Sequence, residues 1–358
     1  MRTFAAVVVA LSVCVTAATA AAPPKRANLA QLARTLVKSG APGAIVYVRT
    51  PTAARAGLAG YADRAAHVTM RAADRYRIAS VSKAFVSVVI LQLEAEGKLD
   101  IDDPVEKWLP ALVPNGGSIT LRELLNHTSG LFDYTADVAF GNTILANPGR
   151  LWTPRELLAY GFAHTPLFAP GTNYSYSNTN YILLGLVTEA VTAKSLGQSL
   201  QERIFTPLGL TATSLPLDIA LDATFVHGYV KLGTAPLLDV TPLLSPSYAW
   251  AAGGIVSNAR DVTTFYRGLL TGKLLPRTQL DEMEKPSSVA GTYGLGIDNS
   301  FVTCGRTFGH NGDIPGWRNE VLATANGKRQ AVVMVNVDET YVSWGRIDAF
   351  ARTALCRG

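Results

Sequence analysis

Residues 77–83 read Arg-Ile-Ala-Ser-Val-Ser-Lys and lead directly into the apolar run Ala84–Leu93. This stretch contains the only Ser-x-x-Lys of the chain, at Ser80 and Lys83. Residues three apart share a face of a helix, so we expect the Lys83 amine within reach of the Ser80 hydroxyl. A serine hydroxyl needs an adjacent base, and burial suits lysine to that role by lowering its pKa. The stretch predicts a nucleophile and its base; a helix cap beside a surface lysine is the alternative.

The same stretch predicts a long buried helix, Arg77–Leu93, because its second half is apolar on nearly every side. Gly97 follows shortly after, and a glycine is typical of a helix end. The other helices, predicted from apolar residues at helical spacing, are 28–38, 121–125, 181–191, 261–270 and 344–355. The predicted strands are 44–48, 58–62, 293–297 and a hairpin of 321–325 with 331–337, whose turn contains Asn326-Gly327.

The predicted fold class is α+β, with two lobes. Sheet signals lie near both ends of the chain, so residues 27–85 and 245–358 are assigned to an α/β lobe. Residues 86–244 carry few strand signals and are assigned to a mostly helical lobe. A cleft between two lobes is a usual place for a site.

The composition predicts a compact globule, since 48% of the 358 residues are hydrophobic and only 16% are charged. The net charge of +5 comes from scattered lysines and arginines, and no basic helix carries interleaved aromatic residues. We therefore expect no nucleic-acid partner.

The first twenty residues have the features of a cleaved export signal. Arg2 gives a charged start, the apolar core 4–15 is too short to span a bilayer, and residues 18–20 offer a small-residue cleavage site. A lipid anchor at Cys14 is the less favoured alternative, because a bulky valine precedes it. We expect a signal peptide at 1–20, no stable membrane span, and a secreted or cell-envelope protein.

Cys304 and Cys356 are the only cysteines outside this signal. An even pair in an exported protein predicts a disulfide, here between a strand and the C-terminal helix. Two buried thiols are the alternative.

Two further stretches carry groups suited to acid–base chemistry. Residues 174–181 read YSYSNTNY, where a Tyr176 of lowered pKa can pass a proton between serine and leaving group, and Asn178 can hold a substrate amide. Residues 308–312 read FGHNG, and the glycines let a ligand lie against a strand beside His310. Each stretch alone is also compatible with a structural role, as a polar turn with packing aromatics or a structural histidine.

Together, the Ser/Lys pair, Tyr-Ser-Asn at 176–178 and His-Asn-Gly at 310–312 resemble the penicillin-recognising serine hydrolases, in the branch of class C β-lactamases and related esterases. The resemblance covers nearly the whole mature chain, and it is strongest to the secreted D-alanyl-D-alanine carboxypeptidases, whose cysteine pair is placed as Cys304 and Cys356 are. It implies a β-lactamase/transpeptidase-like fold, with an antiparallel sheet flanked by helices plus a mostly helical lobe. The further matching stretches are GAPGA at 40–44, EGKLD at 96–100, LLNHTSGL at 124–131 and YGLG at 293–296.

The resemblance also implies a role for each residue of the site. Ser80 attacks a carbonyl and forms an acyl-enzyme, Lys83 and Tyr176 shuttle protons, and His310 supports Tyr176 electrostatically. The expected substrate contacts are Asn178 for the amide, the backbone N–H groups of Ser80 and Asp313 for the oxyanion, and Trp250, Asn311 and Gly312 along the pocket. No metal or organic cofactor is implied. The expected partner is a small peptide, ester or β-lactam substrate, bound by a monomer.

One position departs from the carboxypeptidase pattern. In those enzymes an arginine five residues after the strand tyrosine is assigned to the peptide's terminal carboxylate, whereas here the residue five after Tyr293 is Asp298. An acidic group there repels a carboxylate. The leading hypothesis is a D-alanyl-D-alanine carboxypeptidase-like hydrolase acting on cell-wall peptides. The alternatives are an esterase, a D-amino-acid amidase or a β-lactamase on the same scaffold, and a catalytically silent envelope-binding protein.

Overall fold

The computed structural model describes residues 26–219 and 224–358. The predicted signal peptide, residues 1–20, and Cys14 lie outside the described residues. Within the two described ranges, every helix falls short of the length and apolarity that crossing a membrane requires.

An antiparallel sheet of seven strands forms the centre of the described part of the chain, in the order β3-β2-β1-β11-β10-β9-β8. The two ends of the chain meet in its middle, where β1 pairs with β11. The strands are β1 Gly43–Arg49, β2 Ala54–Asp63, β3 Val68–Thr69, β4 Tyr76–Arg77, β5 Tyr229–Val230, β6 Leu238–Asp239, β7 Val256–Ser257, β8 Asp298–Val302, β9 Gly305–Ile314, β10 Trp317–Thr324 and β11 Gln330–Val335.

Helices cover both faces of this sheet and build the region beside it. The helices are α1 Leu29–Lys38, α2 Ser82–Ala95, α3 Val105–Trp108, α4 Leu121–Leu125, α5 Val138–Ala146, α6 Pro154–Phe162, α7 Asn178–Thr192, α8 Leu196–Leu200, α9 Thr206–Leu208, α10 Trp250–Gly253, α11 Ala259–Leu270, α12 Arg277–Glu284 and α13 Trp344–Arg357. Short 3₁₀ turns lie at Ala79–Val81, Gly116–Ser118, Tyr134–Ala136 and Pro246–Tyr248, and a π turn at Gln201–Phe205.

Alternation along the central strands divides the core into two layers. Val333 and Val335 of β11 belong to the apolar cluster formed with α1 and α13. The intervening Val332 and Met334 belong to the larger cluster formed with α2 and α11. Successive strand residues point to opposite faces, so β11 is apolar on both sides because both faces are covered.

The sheet takes its strands from residues 43–69 and 298–335, whereas helices α3 to α9 all fall within 105–208. The chain ends therefore supply the sheet and the middle supplies helices, as predicted. The lobe boundaries at 85 and 245 stay a prediction.

The predicted helix 77–93 begins later than expected. Arg77 belongs to β4, the chain then makes a 3₁₀ turn in which Ala79 has φ 51°, and α2 begins at Ser82. The Ile78 N–H donates to the carbonyl oxygen of Ile255 at 3.0 Å, which anchors the turn. Ser80 is therefore presented on a tight turn, and Lys83 lies in the first turn of a helix that is buried from Ser82 to Leu91.

The predicted strand 293–297 is wrong, because these residues form a turn before β8. The Gly294 N–H donates to the carbonyl oxygen of Ile297 at 2.8 Å. Gly296 has φ 82°, and a Cβ there would lie 2.1 Å from Ser87 Oγ of α2. The backbone bends against α2 at a position that only glycine fits. The predicted hairpin around Asn326-Gly327 is confirmed as β10 and β11.

Cys304 and Cys356 form a disulfide that joins the β8–β9 turn to α13, with 5.4 Å between their Cα atoms. The bond closes a loop of 52 residues and so restricts the unfolded chain. We expect the double substitution Cys304→Ser/Cys356→Ser to lower the free energy of unfolding by about 2–4 kcal/mol. Urea unfolding of the oxidised protein and the double variant measures this difference. Coincident unfolding curves would contradict it.

Candidate active site

The Lys83 side chain lies at the centre of the site and is fully buried. Its Nζ is 3.1 Å from Ser80 Oγ, 2.7 Å from Asn178 Oδ1 and 2.8 Å from the carbonyl oxygen of Ala252. A neutral amine has two N–H donors and one lone pair. The Asn178 and Ala252 oxygens occupy the two donors, so the lone pair faces the Ser80 hydroxyl and can take its proton.

Burial lowers the pKa of Lys83 to about 7, and the negative charge of Asp133 opposes this shift. A large share of the Lys83 side chains is therefore uncharged at neutral pH. A general base is most effective when its pKa lies near the working pH.

This pKa predicts the pH profile of acylation. We expect kcat/KM to increase with pH and to level off above about 7, because protonated Lys83 has no lone pair for the Ser80 proton. The measurement uses an N-acetylated amino-acid ester, whose own charge does not change in this range. A flat profile through neutral pH would contradict the assignment.

Tyr176 brings a phenol to Ser80 from the segment before α7. Its hydroxyl is hydrogen-bonded to Ser80, while Lys83 Nζ lies over its ring, 4.7 Å from the centroid. Burial raises the pKa of Tyr176 well above its usual range, and the bond to Ser80 only partly opposes this. The expected lowering of the Tyr176 pKa is therefore wrong, because burial disfavours the ionised phenolate more than the bond to Ser80 favours it. Tyr176 is a protonated phenol that can donate its proton.

His310 on β9 is neutral and bonded on both nitrogens. Its Nδ1 lies 2.5 Å from the carbonyl oxygen of Asn311, so Nδ1 carries the proton and Nε2 accepts from the Tyr293 hydroxyl at 2.9 Å. Burial lowers the pKa of His310 to about 3, with the charge of Lys83 adding to the shift. Its ring centroid is 6.3 Å from that of Tyr176. The direct hydrogen-bond partner of His310 is therefore Tyr293, and electrostatic support of Tyr176 by His310 stays a prediction.

Asn178 is oriented by groups on both sides of its amide. Its Oδ1 accepts from Lys83, while its Nδ2 donates to Asp133 Oδ2 at 3.0 Å and to Thr135 Oγ1 at 3.2 Å. The Asp133 carboxylate thus fixes which end of the amide faces Lys83. Asn178 also lines the cavity beside Ser80, as expected for a substrate contact.

The other predicted residues of β9 fall into two groups. Gly312 packs against the turn that carries Ser80, since a Cβ there would lie 2.4 Å from the carbonyl oxygen of Ile78. Asp313 lines the cavity. Asn311 is exposed and is not among the residues that line the cavity. Gly312 and Asp313 are therefore at the site, whereas the Asn311 side chain is not.

Trp250 does not line the cavity, contrary to expectation. Its side chain is buried, and a Cβ added at Gly185 of α7 would lie 2.7 Å from its ring. The short helix α10 turns the indole into the core, and Tyr248, Ala249 and Ala252 line the cavity instead.

A cavity of about 380 Å³ opens beside Ser80. Its wall is mainly apolar and aromatic, and Asp313 is its one charged residue in the described part of the chain. The Asp313 side chain is 48% exposed and lies 3.3 Å from Nε of the buried Arg318. The residues that give the apolar wall are Tyr134, Phe140, Ile144, Leu145, Tyr248, Ala249, Ile314 and Pro315.

The site thus brings together Ser80, Lys83 and Tyr176 beside strand β9 of the antiparallel sheet, and comparison with known proteins tests what this arrangement indicates. Residues 29–354 match the sequence profile of the Beta-lactamase family. The chain belongs to the beta-lactamase family. Its members include serine hydrolases that share this fold.

Two solved structures and one curated protein illustrate this chain's relatives in the beta-lactamase family. A D-stereospecific amidohydrolase from Streptomyces sp. is 39% identical, with a TM-score of 0.84 over 91% of this chain and 98% of that one. The D-amino acid amidase of Ochrobactrum anthropi SV3 is 27% identical, with a TM-score of 0.80 over 91% of this chain and 96% of that one. The D-aminopeptidase of Brucella ovis is 31% identical over 84% of this chain.

The chain spans only 57% of the length of that D-aminopeptidase, and 65% of another curated relative. The shared region is therefore the hydrolase fold and its site. The match to the amidohydrolase covers nearly all of both chains.

His127 holds the segment that carries Tyr176 in place. The sequence motifs did not predict this role. Its Nδ1 accepts from the Ser177 N–H at 3.2 Å and from Asn180 Nδ2 at 3.1 Å, and its carbonyl oxygen accepts from the Ser175 N–H at 3.1 Å. Its ring centroid lies 4.3 Å from that of Tyr176. Burial lowers the pKa of His127 well below its usual range, so it is a neutral acceptor. Its one sequence signal is the LLNHTSGL stretch at 124–131.

Proposed function

We propose that this protein hydrolyses D-amino-acid amides, or short peptides with an N-terminal D-residue, through an acyl-enzyme at Ser80. The observation that carries the proposal is the charge of the cavity beside Ser80, where Asp313 is the one charged lining residue among those described. A free α-ammonium group suits such a cavity, whereas a terminal carboxylate would meet a negative charge. The apolar wall suits a bulky side chain.

Asp298 argues in the same direction. It pairs with Gly309, the residue before His310, and burial raises its pKa to about 6, so most of it is ionised at neutral pH. The carboxypeptidase hypothesis requires a cation at this position, to bind the terminal carboxylate of the peptide. The alternative of a D-amino-acid amidase is therefore favoured over the carboxypeptidase, and the amidohydrolase and amidase relatives support the same choice.

The residues give a complete proton path for amide hydrolysis. Lys83 takes the Ser80 proton as Oγ bonds to the carbonyl carbon, and the backbone N–H groups of Ser80 and Asp313 meet the charge on the carbonyl oxygen. Tyr176 gives its proton to the departing nitrogen and regains one from Lys83. Ammonia leaves, and water then attacks the acyl-enzyme to release the amino acid and restore Ser80.

The experiment compares kcat/KM for D-phenylalanine amide, L-phenylalanine amide, N-acetyl-D-phenylalanine amide and a peptide ending in D-Ala-D-Ala. We expect the D-amide to exceed the L-amide and the acetylated D-amide by at least about tenfold, the latter because acetylation removes the ammonium charge. The highest value for the D-Ala-D-Ala peptide would replace the proposal with the carboxypeptidase reading.

Asp313→Asn tests the ammonium contact directly while keeping the backbone N–H. We expect KM for D-phenylalanine amide to increase about five- to tenfold, since a half-exposed charge pair contributes about 1 kcal/mol. KM for the acetylated amide should not change. Asp348→Asn on α13 is the matched control. Equal effects on both substrates would contradict the contact.

We further propose that the protein is exported and that residues 1–20 are its signal peptide. The disulfide between Cys304 and Cys356 supports this, because such bonds persist mainly in oxidising compartments. N-terminal sequencing of the protein from fractionated cells is expected to begin near Ala21. An intact N-terminus in the cytoplasmic fraction would contradict export.

A further inference from the structure

Four basic side chains gather at the end of the sheet that lies away from Ser80. Strand β1 ends at Arg49, which pairs with Gln330, whereas its residue Ala44 pairs with Val335. Val335 also lies in register with Arg318, whose other neighbour is Asp313 of the catalytic cavity. Five residues of strand, about 17 Å, therefore separate this end of the sheet from the catalytic end.

The basic residues surround a depression, here called the cationic groove, formed by Arg49, Arg260, Arg267 and Lys273. A cavity of about 580 Å³ lies between the end of β1, α9 and α11, and is lined by Arg49, Arg267 and Lys273 together with Pro207, Leu208, Thr264 and Gly268. A neighbouring cavity of about 250 Å³ shares Arg49 and Arg267 and adds Arg260. The two cavities form one concave surface with cations on both sides.

The positive charges of the cationic groove lack counter-charges in residues 26–219 and 224–358. None of its four side chains takes part in an ion pair there, and the Arg49 guanidinium donates to Thr264 Oγ1. Burial lowers the pKa of Arg49, and the positive charges of Arg267 and Arg260 lower it further while Tyr47 opposes them. Among the described residues, no carboxylate is a main contributor to that shift.

The acidic residue next to Arg260 along the chain is engaged elsewhere. The Asp261 carboxylate accepts from the Ala212 N–H at 2.8 Å and from the Thr213 hydroxyl at 3.0 Å, and the side chain is buried. Half-buried arginines held side by side without an acid repel one another. An anion in the groove would remove that repulsion and supply the missing acceptors.

We propose that the cationic groove binds a phosphate group. Arginine guanidinium groups match phosphate oxygens with two parallel N–H donors, and Lys273 adds a point charge at the rim. The apolar side of the groove, at Pro207 and Leu208, is suited to the carbon part of a phosphate ester. The phosphate belongs either to a small monoester or to a phosphodiester polymer, which share this chemistry.

Binding is measured by calorimetry at low ionic strength with the full chain, using glycerol 3-phosphate and a poly(glycerol phosphate) chain as probes. We expect saturable binding of at least one probe, with a Kd that increases with salt. Tighter binding of the polymer identifies a phosphodiester source, and equal or tighter binding of the monoester identifies a small ligand. Absence of saturable binding of both probes by the wild-type protein would overturn the proposal.

Arg267→Gln and Lys273→Gln test the residues, because both lie at the surface end of the groove. We expect Kd to increase at least about tenfold in Arg267→Gln and less in Lys273→Gln, with hydrolysis of D-phenylalanine amide unchanged in both. Arg155→Gln on α6 is the control of equal charge change and should bind as the wild type does. Unchanged phosphate affinity in folded Arg267→Gln and Lys273→Gln, verified by circular dichroism, would refute the assignment.

Discussion

Lys83→Met is expected to lower kcat/KM by about 10²–10⁴-fold for amide and ester substrates alike. Methionine keeps most of the apolar length of the side chain, but it leaves Ser80 without a proton acceptor. Both substrate types need that acceptor, because both begin with attack by the Ser80 oxygen. The lysine also donates to Asn178 Oδ1 and to the Ala252 carbonyl oxygen, and these two bonds are lost as well.

Stopped-flow acylation with a D-phenylalanine ester and steady-state hydrolysis of the amide measure the Lys83→Met effect. The exposed Lys285→Met is the matched control and should retain full activity. The remaining activity of Lys83→Met should also lose the pH dependence near 7, because the group that titrates there is gone. Near-normal turnover in this variant would dismiss lysine as the base.

Tyr176→Phe is expected to separate the two substrate types. We expect kcat/KM for D-phenylalanine amide to fall about 10²–10⁴-fold, because ammonia cannot leave without a proton and burial keeps the Tyr176 phenol protonated for that donation. A p-nitrophenyl ester should lose much less, since its leaving group departs as a stable anion.

Tyr174→Phe is the matched control for this second prediction, since Tyr174 lies two residues away on the same segment. Its pKa is raised to about 12 by burial, but Ser80 is not among its partners in the described residues. An equal loss on amide and ester in Tyr176→Phe would contradict proton donation to the leaving group. It would indicate a part in serine activation instead.

Local patterns in the sequence were enough to predict the parts of the site that depend on spacing. The Ser80–Lys83 contact follows from the period of a helical turn, and the structure brings the two groups to 3.1 Å. The turn at Ala79 was not predictable, because alanine gives no signal for a positive φ. The bend at Gly296 depends on Ser87 in a distant helix, so the residues 293–297 alone favoured a strand.

The electrostatic state of the site depends on burial and on partners from distant segments. The apolar run that follows Lys83 is a reason to expect a lowered Lys83 pKa. No local pattern indicates that the surroundings raise the pKa of Tyr176 and lower the pKa of His310. Asp133, which orients Asn178, lies 45 residues away from it and belongs to no motif. The indole of Trp250 was misplaced because its direction is set by packing against Gly185.

The most direct test of the central claim is mass spectrometry after reaction with a fluorophosphonate. A buried amine, with its lone pair facing one hydroxyl, should make Ser80 react before the other serines of the folded chain. The account predicts a single phosphonyl adduct, located by peptide mapping on residues 77–83 and absent from Ser80→Ala. An adduct that persists in Ser80→Ala, or a folded wild-type protein that remains unlabelled, would contradict it.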